Sequence, residues 1–282
     1  MGNSKSWGYL NVAVVVPTFN RKDITLQFIR GMNSQSIPLK IIVCDSESSD
    51  GTLDFVRMEP NVIAVHAGAN AWWSSAVNRG IEVALQQNVD IFIVMNDDVE
   101  FDSCLIPAMI AVHRNHPDSI ISPIQWTESG SFAGTVYDGW FLRVRHLATA
   151  SKNQIVETSN GCCLLIPRAA LVAVGGFDEE NCPHLYGDTE FQIRARRAGF
   201  PTRVCTDAAI RQKASTDYFV RLRLSTLFSF QGSPLNWRAY NSFGRSLFGS
   251  SWSFAIRGLS FHFKFIKVLG RILIFLAKKS IF

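Results

Sequence analysis

No aspartate or glutamate follows position 217, where the last of the 23 acidic residues stands, yet ten Lys and Arg lie between Tyr218 and Phe282. The overall charge of +5 therefore joins an acidic-leaning stretch, 1–217, to a basic and aromatic one, 218–282, and the two read as a folded domain and an appended tail. No uncharged apolar run reaches the ~18 residues a membrane-spanning helix needs, so none is expected. Met1–Leu10 has no apolar core, which excludes a visible secretory signal. The six cysteines (44, 104, 162, 163, 182 and 205) show neither zinc-type nor thioredoxin-type pair spacing, and a reducing, cytosolic compartment is the simplest expectation. Internal repeats and low-complexity segments are missing too. With 47% apolar and 18% charged residues, the composition excludes global disorder.

What is present is a regular alternation of short apolar runs with helical patterns. Asn11–Pro17, Lys40–Cys44, Val62–His66 and Ile91–Met95 read as buried strands. Lys22–Asn33, Gly51–Met58 and Ser74–Gln87 read as the helices between them. Continuous Val/Ile runs separated by helices predict an α/β fold, a mostly parallel sheet covered on both faces. Such sheets bind ligands at the C-terminal ends of their strands. Beyond them, Leu105–Asn115 predicts a helix, Ile120–Gln125 a strand, and Ser131–Leu147 a hairpin or meander. Gly161–Pro167 reads as a strand, Arg168–Val174 and Thr189–Ala198 as helices, and Pro201–Thr206 as a last strand.

The polar residues that interrupt this pattern fall at strand ends. Pro17-Thr18-Phe19-Asn20-Arg21 follows the first strand, where Asn20 would cap the next helix. Asp45 directly follows the second, a position from which a carboxylate can accept a hydrogen bond from the ring N–H of a nucleobase. Trp72 and Trp73 precede a helix and fit either a core or an apolar wall beside a sugar ring. Arg79 is either an exposed helical residue or a phosphate contact. Asn96-Asp97-Asp98 places carboxylates where the fourth strand stops, and hard divalent cations take such oxygen ligands together with phosphate oxygens; an Asp-rich turn is the plainer alternative. Gly187-Asp188-Thr189-Glu190 opens a helix. There Thr189 is a candidate N-cap with Gln192 completing a capping box, and Asp188 is a first-turn acid held rigidly at the edge of a cleft.

In this order and spacing the motifs resemble those of inverting glycosyltransferases of family 2, a group with the GT-A fold, and of their rhamnosyltransferase-like bacterial members in particular. The resemblance covers Val12 to Thr206. It implies that Pro17, Thr18, Asn20 and Asp45 hold the nucleoside, and that Asn78 and Arg79 lie near the nucleotide. It implies Asp98 as the ligand of a metal (Mn2+ or Mg2+) and of the diphosphate, with Asp97 beside it. Asp188 becomes the catalytic base, and Trp72, Trp73 and Glu190 the wall toward sugar and acceptor. Two departures stand out. Asn96 opens the D-x-D-type element, and Ile210-Arg211-Gln212-Lys213 occupies the region where many members carry a metal-contacting His.

The tail supplies a second expectation. Lys264, Lys267, Arg271 and Lys278 share one side of a helix whose other side carries Phe261, Phe265, Val268, Leu269, Ile272 and Leu276. That pattern predicts an amphipathic helix on an anionic membrane surface, with docking on the catalytic domain or on a second subunit as the alternative. Nucleic acid fits less well, because the cations interleave with bulky apolar groups. The expected protein transfers a sugar from a nucleoside-diphosphate donor to a glycan or glycolipid acceptor, in the cytoplasm at the inner face of the plasma membrane. A sugar nucleotidyltransferase and a non-catalytic scaffold are the competing readings. The first usually opens with a Gly-rich, Arg-containing phosphate loop, which Val16-Pro17-Thr18-Phe19-Asn20 lacks.

Overall fold

A computed structural model describes residues 10–69, 71–128, 130–138, 140, 143–212, 236–258, 261–262, 265–267 and 269–270. The first half is built from β1 (Val12–Thr18), α1 (Lys22–Asn33), β2 (Lys40–Asp45), α2 (Thr52–Val56), β3 (Val62–His66), α3 (Trp73–Gln86) and β4 (Ile91–Met95). After them come β5 (Val99–Phe101), α4 (Leu105–Asn115), β6 (Ile120–Thr127), β7 (Gly130–Phe132), β8 (Gly134–Asp138), β9 (Arg143–Leu147), β10 (Ile155–Val156) and β11 (Cys163–Pro167). The remainder is α5 (Arg168–Val174), α6 (Gly187–Arg197), β12 (Thr202–Gln212), α7 (Trp237–Phe248) and α8 (Ser251–Arg257).

The main sheet has the order β10-β12-β6-β11-β4-β1-β2-β3. Strands β4, β1, β2 and β3 run parallel, as their uninterrupted apolar runs predict. Successive residues of β1 divide between two cores. Val12, Val14 and Val16 join Phe28, Ile29 and Met32 of α1 on one face, whereas Ala13 and Val15 join Ala76 and Val77 of α3 on the other. A strand buried on both sides has no polar face, and its period-2 signature disappears. Gly80 allows α3 its close approach: a Cβ there would lie 2.4 Å from Val15 Cγ1 and 2.5 Å from Cys44 Sγ.

Strand β11 is antiparallel to β4 and pairs Cys163 with Met95. Its beginning therefore shares an edge with the ends of β1, β2 and β4, and the Asn96 N–H donates to the Cys162 carbonyl at 3.1 Å. Three expectations change here. Strand β12 runs on to Gln212, six residues past the predicted end, because it pairs with both β6 and β5. Helix α6 begins at Gly187 after Tyr186, which has φ 64°, so Thr189 is not its N-cap. Gln192 completes no capping box: it exchanges two hydrogen bonds with the Ser159 backbone, at 2.7 and 2.8 Å.

Helices α7 and α8 pack on this domain. Tyr240, Phe243, Phe248, Phe254 and Phe261 form one buried cluster with Ile193 of α6, with Tyr137, Val144 and Tyr186 against it. Phe261 and Phe265 thus face protein, while Lys267 is exposed. Lys264, Val268, Arg271, Ile272, Leu276 and Lys278 of the expected amphipathic helix lie outside the described residues.

Candidate active site

The end of β4 carries two carboxylates with different surroundings. Asp97 is buried: its Oδ1 accepts from Arg21 Nη1 at 3.0 Å and its Oδ2 from the Thr25 hydroxyl at 2.9 Å. Thr25 in turn bonds Thr18 at 2.8 Å, so the turn after β1 and the first turn of α1 hold Asp97 in place. Burial pushes the Asp97 carboxyl above the usual carboxylate range, while Arg21 and Thr25 pull it back. Asp98 Oδ2 accepts from the same Arg21 Nη1 at 3.2 Å, and Asp98 Oδ1 is buried with no hydrogen-bond partner. For Arg21, burial works against the charge, but the two carboxylates outweigh it and keep the guanidinium pKa raised.

Asn96 is fixed from two sides. Its Oδ1 accepts from Trp73 Nε1 at 2.9 Å, and its Nδ2 lies 3.7 Å from Cys162 Sγ. Trp73 packs edge-on against Phe177, with ring centroids 5.0 Å apart, and Trp72 packs against His184 at 5.3 Å. Burial, with Arg21 nearby, pushes the His184 imidazole down to about 4, so it is neutral at physiological pH. The charges of Asp98 and Asp188 both act on the Cys162 thiol, which burial already pushes up. Cys162 thus adjoins both acidic motifs, with its Sγ against Asn96 and its chain neighbour Gly161 bonded to Asp188.

Asp188 lies in the first turn of α6. Its Oδ2 accepts the Gly161 N–H at 2.6 Å, and its Oδ1 accepts the Thr189 N–H at 2.8 Å and the Thr189 hydroxyl at 3.3 Å. Burial pushes this carboxyl up, against the pull of the Gly161 and Thr189 N–H groups. A Cβ on residue 161 would stand 2.6 Å from Asp188 Cβ, so the position admits only glycine without displacing the acid.

Asp45, at the end of β2, is buried and accepts from both the N–H and the hydroxyl of Ser48. Asn20 caps no helix. At φ 51° it accepts the Ser49 N–H on Oδ1 at 2.7 Å, and its own N–H donates to Ser48 Oγ. The start of α1 is capped by Asp50 instead, whose Oδ2 accepts the Lys22 N–H at 3.0 Å. The Pro17–Asn20 turn and the 46–50 loop are thereby joined beside Asp45.

Three expected site residues have other work. Asn78 exchanges hydrogen bonds with both backbone groups of Phe177 at 2.9 Å, and its motif neighbour Gly80 serves helix–sheet packing. Arg79 pairs with Glu82 on the exposed side of α3 at 3.2 Å. Glu190 is buried and accepts from Arg194 Nε at 2.8 and 2.9 Å and from the Ser246 hydroxyl at 2.8 Å. These bonds clamp α6 to α7. Sequence reasoning passed over Arg21 and Gly161. The Arg after Pro-Thr-Phe-Asn was a visible signal for the first; the second has none until Asp188 is seen against it.

The metal expectation can be tested on the donor atoms. Among the described residues no three His, Cys, Asp or Glu side chains converge on one point. Gln212, in the region expected to offer a third ligand, already accepts from Gln125 Nε2 at 2.6 Å. The partnerless Asp98 Oδ1 fits a hard cation that takes its other oxygens from substrate phosphates and water, since such ions need only one or two protein carboxylates.

Parallel strands β4-β1-β2-β3, extended by antiparallel β11 and a long β12, with the acidic motifs along one edge, form the GT-A glycosyltransferase fold. Among solved structures, GalNAc-T7 with UDP, GalNAc and Mn2+ superposes with a TM-score of 0.65 at 11% identity, over 90% of this chain and 51% of that one. Staphylococcus aureus TarS residues 1–349 in complex with UDP superposes with a TM-score of 0.54 at 18% identity, over 85% and 71%. The chain belongs to glycosyl transferase family 2, whose model matches residues 13–175. It is 29% identical over 193 residues to the N-acetylglucosaminyl-diphospho-decaprenol L-rhamnosyltransferase of Mycobacterium tuberculosis, in strains CDC 1551 / Oshkosh and ATCC 25618 / H37Rv. That match spans 58% of this chain and 62% of the relative, less than two thirds of its length. No helix among the described residues is long and apolar enough to cross a membrane.

Proposed function

We propose that this protein is an inverting glycosyltransferase that moves a sugar, rhamnose from dTDP or a sugar from UDP, to a hydroxyl of a lipid-linked saccharide or other bacterial cell-surface glycan. The observation that carries the reading is Asp188, an acid pushed up by burial and fixed by two backbone N–H groups, beside Cys162, whose Sγ lies 3.7 Å from Nδ2 of Asn96 at the end of β4. A carboxylate of raised pKa is a stronger base than an exposed one, and a rigid one needs no reorganisation to act. Asp188 accepts the proton of the acceptor hydroxyl as its oxygen bonds to the anomeric carbon. The bond from that carbon to the phosphate oxygen breaks in the same step, and the nucleoside diphosphate leaves with the electron pair. One displacement without a covalent intermediate inverts the anomeric centre.

Asp45 and the joined Asn20–Ser49 loops would hold the pyrimidine, whose ring N–H a carboxylate can accept. Asp98 would hold Mn2+ or Mg2+, which supplies charge stabilisation to the departing diphosphate. Trp73 orients Asn96 beside it, and Trp72 with neutral His184 offers an apolar and polar edge to a sugar. Asp188→Asn should keep binding of the nucleoside diphosphate and lose transfer, read as release of UDP or dTDP from the donor sugar. Near-wild-type turnover in that variant would sink the assignment.

The cationic last 65 residues and the exposed side chains of Trp237, Ile256 and Ile266 support contact with an anionic bilayer from its cytoplasmic side. Flotation of the full chain with phosphatidylglycerol vesicles but not phosphatidylcholine vesicles is the expected result. A concentration-dependent dimer without flotation would assign that surface to a second subunit.

A further inference from the structure

Arg21 has a placement that the mechanism above leaves unused. One nitrogen, Nη1, serves both acids, at 3.0 Å from Asp97 Oδ1 and 3.2 Å from Asp98 Oδ2. The Asp97 side chain is 1% exposed and the Asp98 side chain 14%, whereas that of Arg21 is 39% exposed, so the guanidinium lies across the carboxylates from the solvent side. Among the described residues neither Nε nor Nη2 of Arg21 has a hydrogen-bond partner. The backbone beneath is fixed, because the Arg21 carbonyl accepts the Thr25 N–H at 2.9 Å as α1 begins.

A positive charge within hydrogen-bond distance of both carboxylates has two consequences of opposite sign. A free divalent cation approaching Asp98 meets a like charge a few ångströms away, and that repulsion opposes its binding. An approaching diphosphate meets the unused edge of a planar fork whose geometry suits phosphate oxygens, with no metal needed.

We propose that Arg21 is the resident counter-ion of the Asp97–Asp98 pair and a direct ligand of the donor diphosphate, so that it weakens binding of free divalent cation and supports cation-independent binding of nucleotide. The inference rests on the reading of this edge as the donor site.

The test measures two affinities on the full chain: Mn2+ alone, from the free-ion electron paramagnetic resonance signal, and UDP or dTDP in the presence of EDTA, by calorimetry. Arg21→Gln keeps a donor toward Asp97 and removes the charge. It should bind Mn2+ about tenfold tighter and nucleotide in EDTA about tenfold more weakly, in the directions that the repulsion and attraction set. Arg21→Lys, which restores a charge, should return both values toward wild type. Asp98→Asn supplies an arm that leaves Arg21 intact: Mn2+ binding should vanish while nucleotide in EDTA binds as well as before or better. A residue that merely holds the fold would move both affinities of Arg21→Gln in the same direction, and that result overturns the proposal. So does a loss of nucleotide binding in Asp98→Asn with EDTA. If wild type binds neither nucleotide even with Mn2+, the donor site itself falls; if it binds and Arg21→Gln behaves as wild type, only the role of Arg21 does.

Discussion

Gly161 and Asp188 meet across 27 residues of sequence, with the glycine N–H on Asp188 Oδ2 at 2.6 Å and no room for a methyl group between them. The strand that enters the sheet at Cys163 and the helix that starts at Gly187 are thus fitted to each other at the acid itself. Gly161→Ala should push Asp188 off its position and lower kcat at least tenfold, since misplacement of a reacting group by about 1 Å costs rate steeply. Affinity for UDP or dTDP should hold, because the nucleotide side of the cleft is built from other segments. Steady-state kinetics beside nucleotide calorimetry checks both halves.

The pH dependence follows from the same residue. Burial raises the Asp188 pKa, and a base works only when deprotonated. Transfer should therefore fall as pH drops through an inflection above the ~3.9 of an unperturbed Asp. A kcat profile in a pH-stable buffer series reads it. An acid limb at or below the ordinary value would contradict a buried base.

Glu190 stands two residues from the proposed base and does something else. Glu190→Ala strands Arg194 without its carboxylate and frees Ser246, which should destabilise the fold by about 3 kcal/mol. Urea unfolding measures the loss. Turnover per folded molecule should stay close to wild type.

At the opposite face, Gly80→Ala drives a methyl into Val15 and Cys44. Overpacking of this kind costs about 1–3 kcal/mol. A lowered midpoint of thermal unfolding, with unchanged nucleotide affinity, is the expected outcome.

Where the sequence was legible, the physical signal was local. Lys22–Asn33, Val62–His66, Ile91–Met95, Leu105–Asn115 and Arg168–Val174 announce their own ends, because buried runs stop at polar residues. Strand β5 and the far end of β12 escape such reading, since β5 is a strand by pairing with β12, and the end of β12 by lying between β5 and β6. The α7 partner of Glu190 was out of reach for a helical reason: residues two apart on a helix point some 200° from one another, so Glu190 meets Arg194 and Ser246 while Asp188 meets Gly161. Asn78 and Arg79 fit a motif by their types, but the surroundings that decide their use, Phe177 and Glu82, cannot be read from those two positions alone.

The contact of α7 with α6 bears on how such proteins can be cut and recombined. A boundary drawn at 217 by charge would separate Ser246 from Glu190 and strip the aromatic cover from Ile193, on the helix that also carries Asp188. A chimera meant to inherit this acid should carry residues 237–261 along with it, so the portable module is longer than the family-matched segment and ends in the basic region rather than before it.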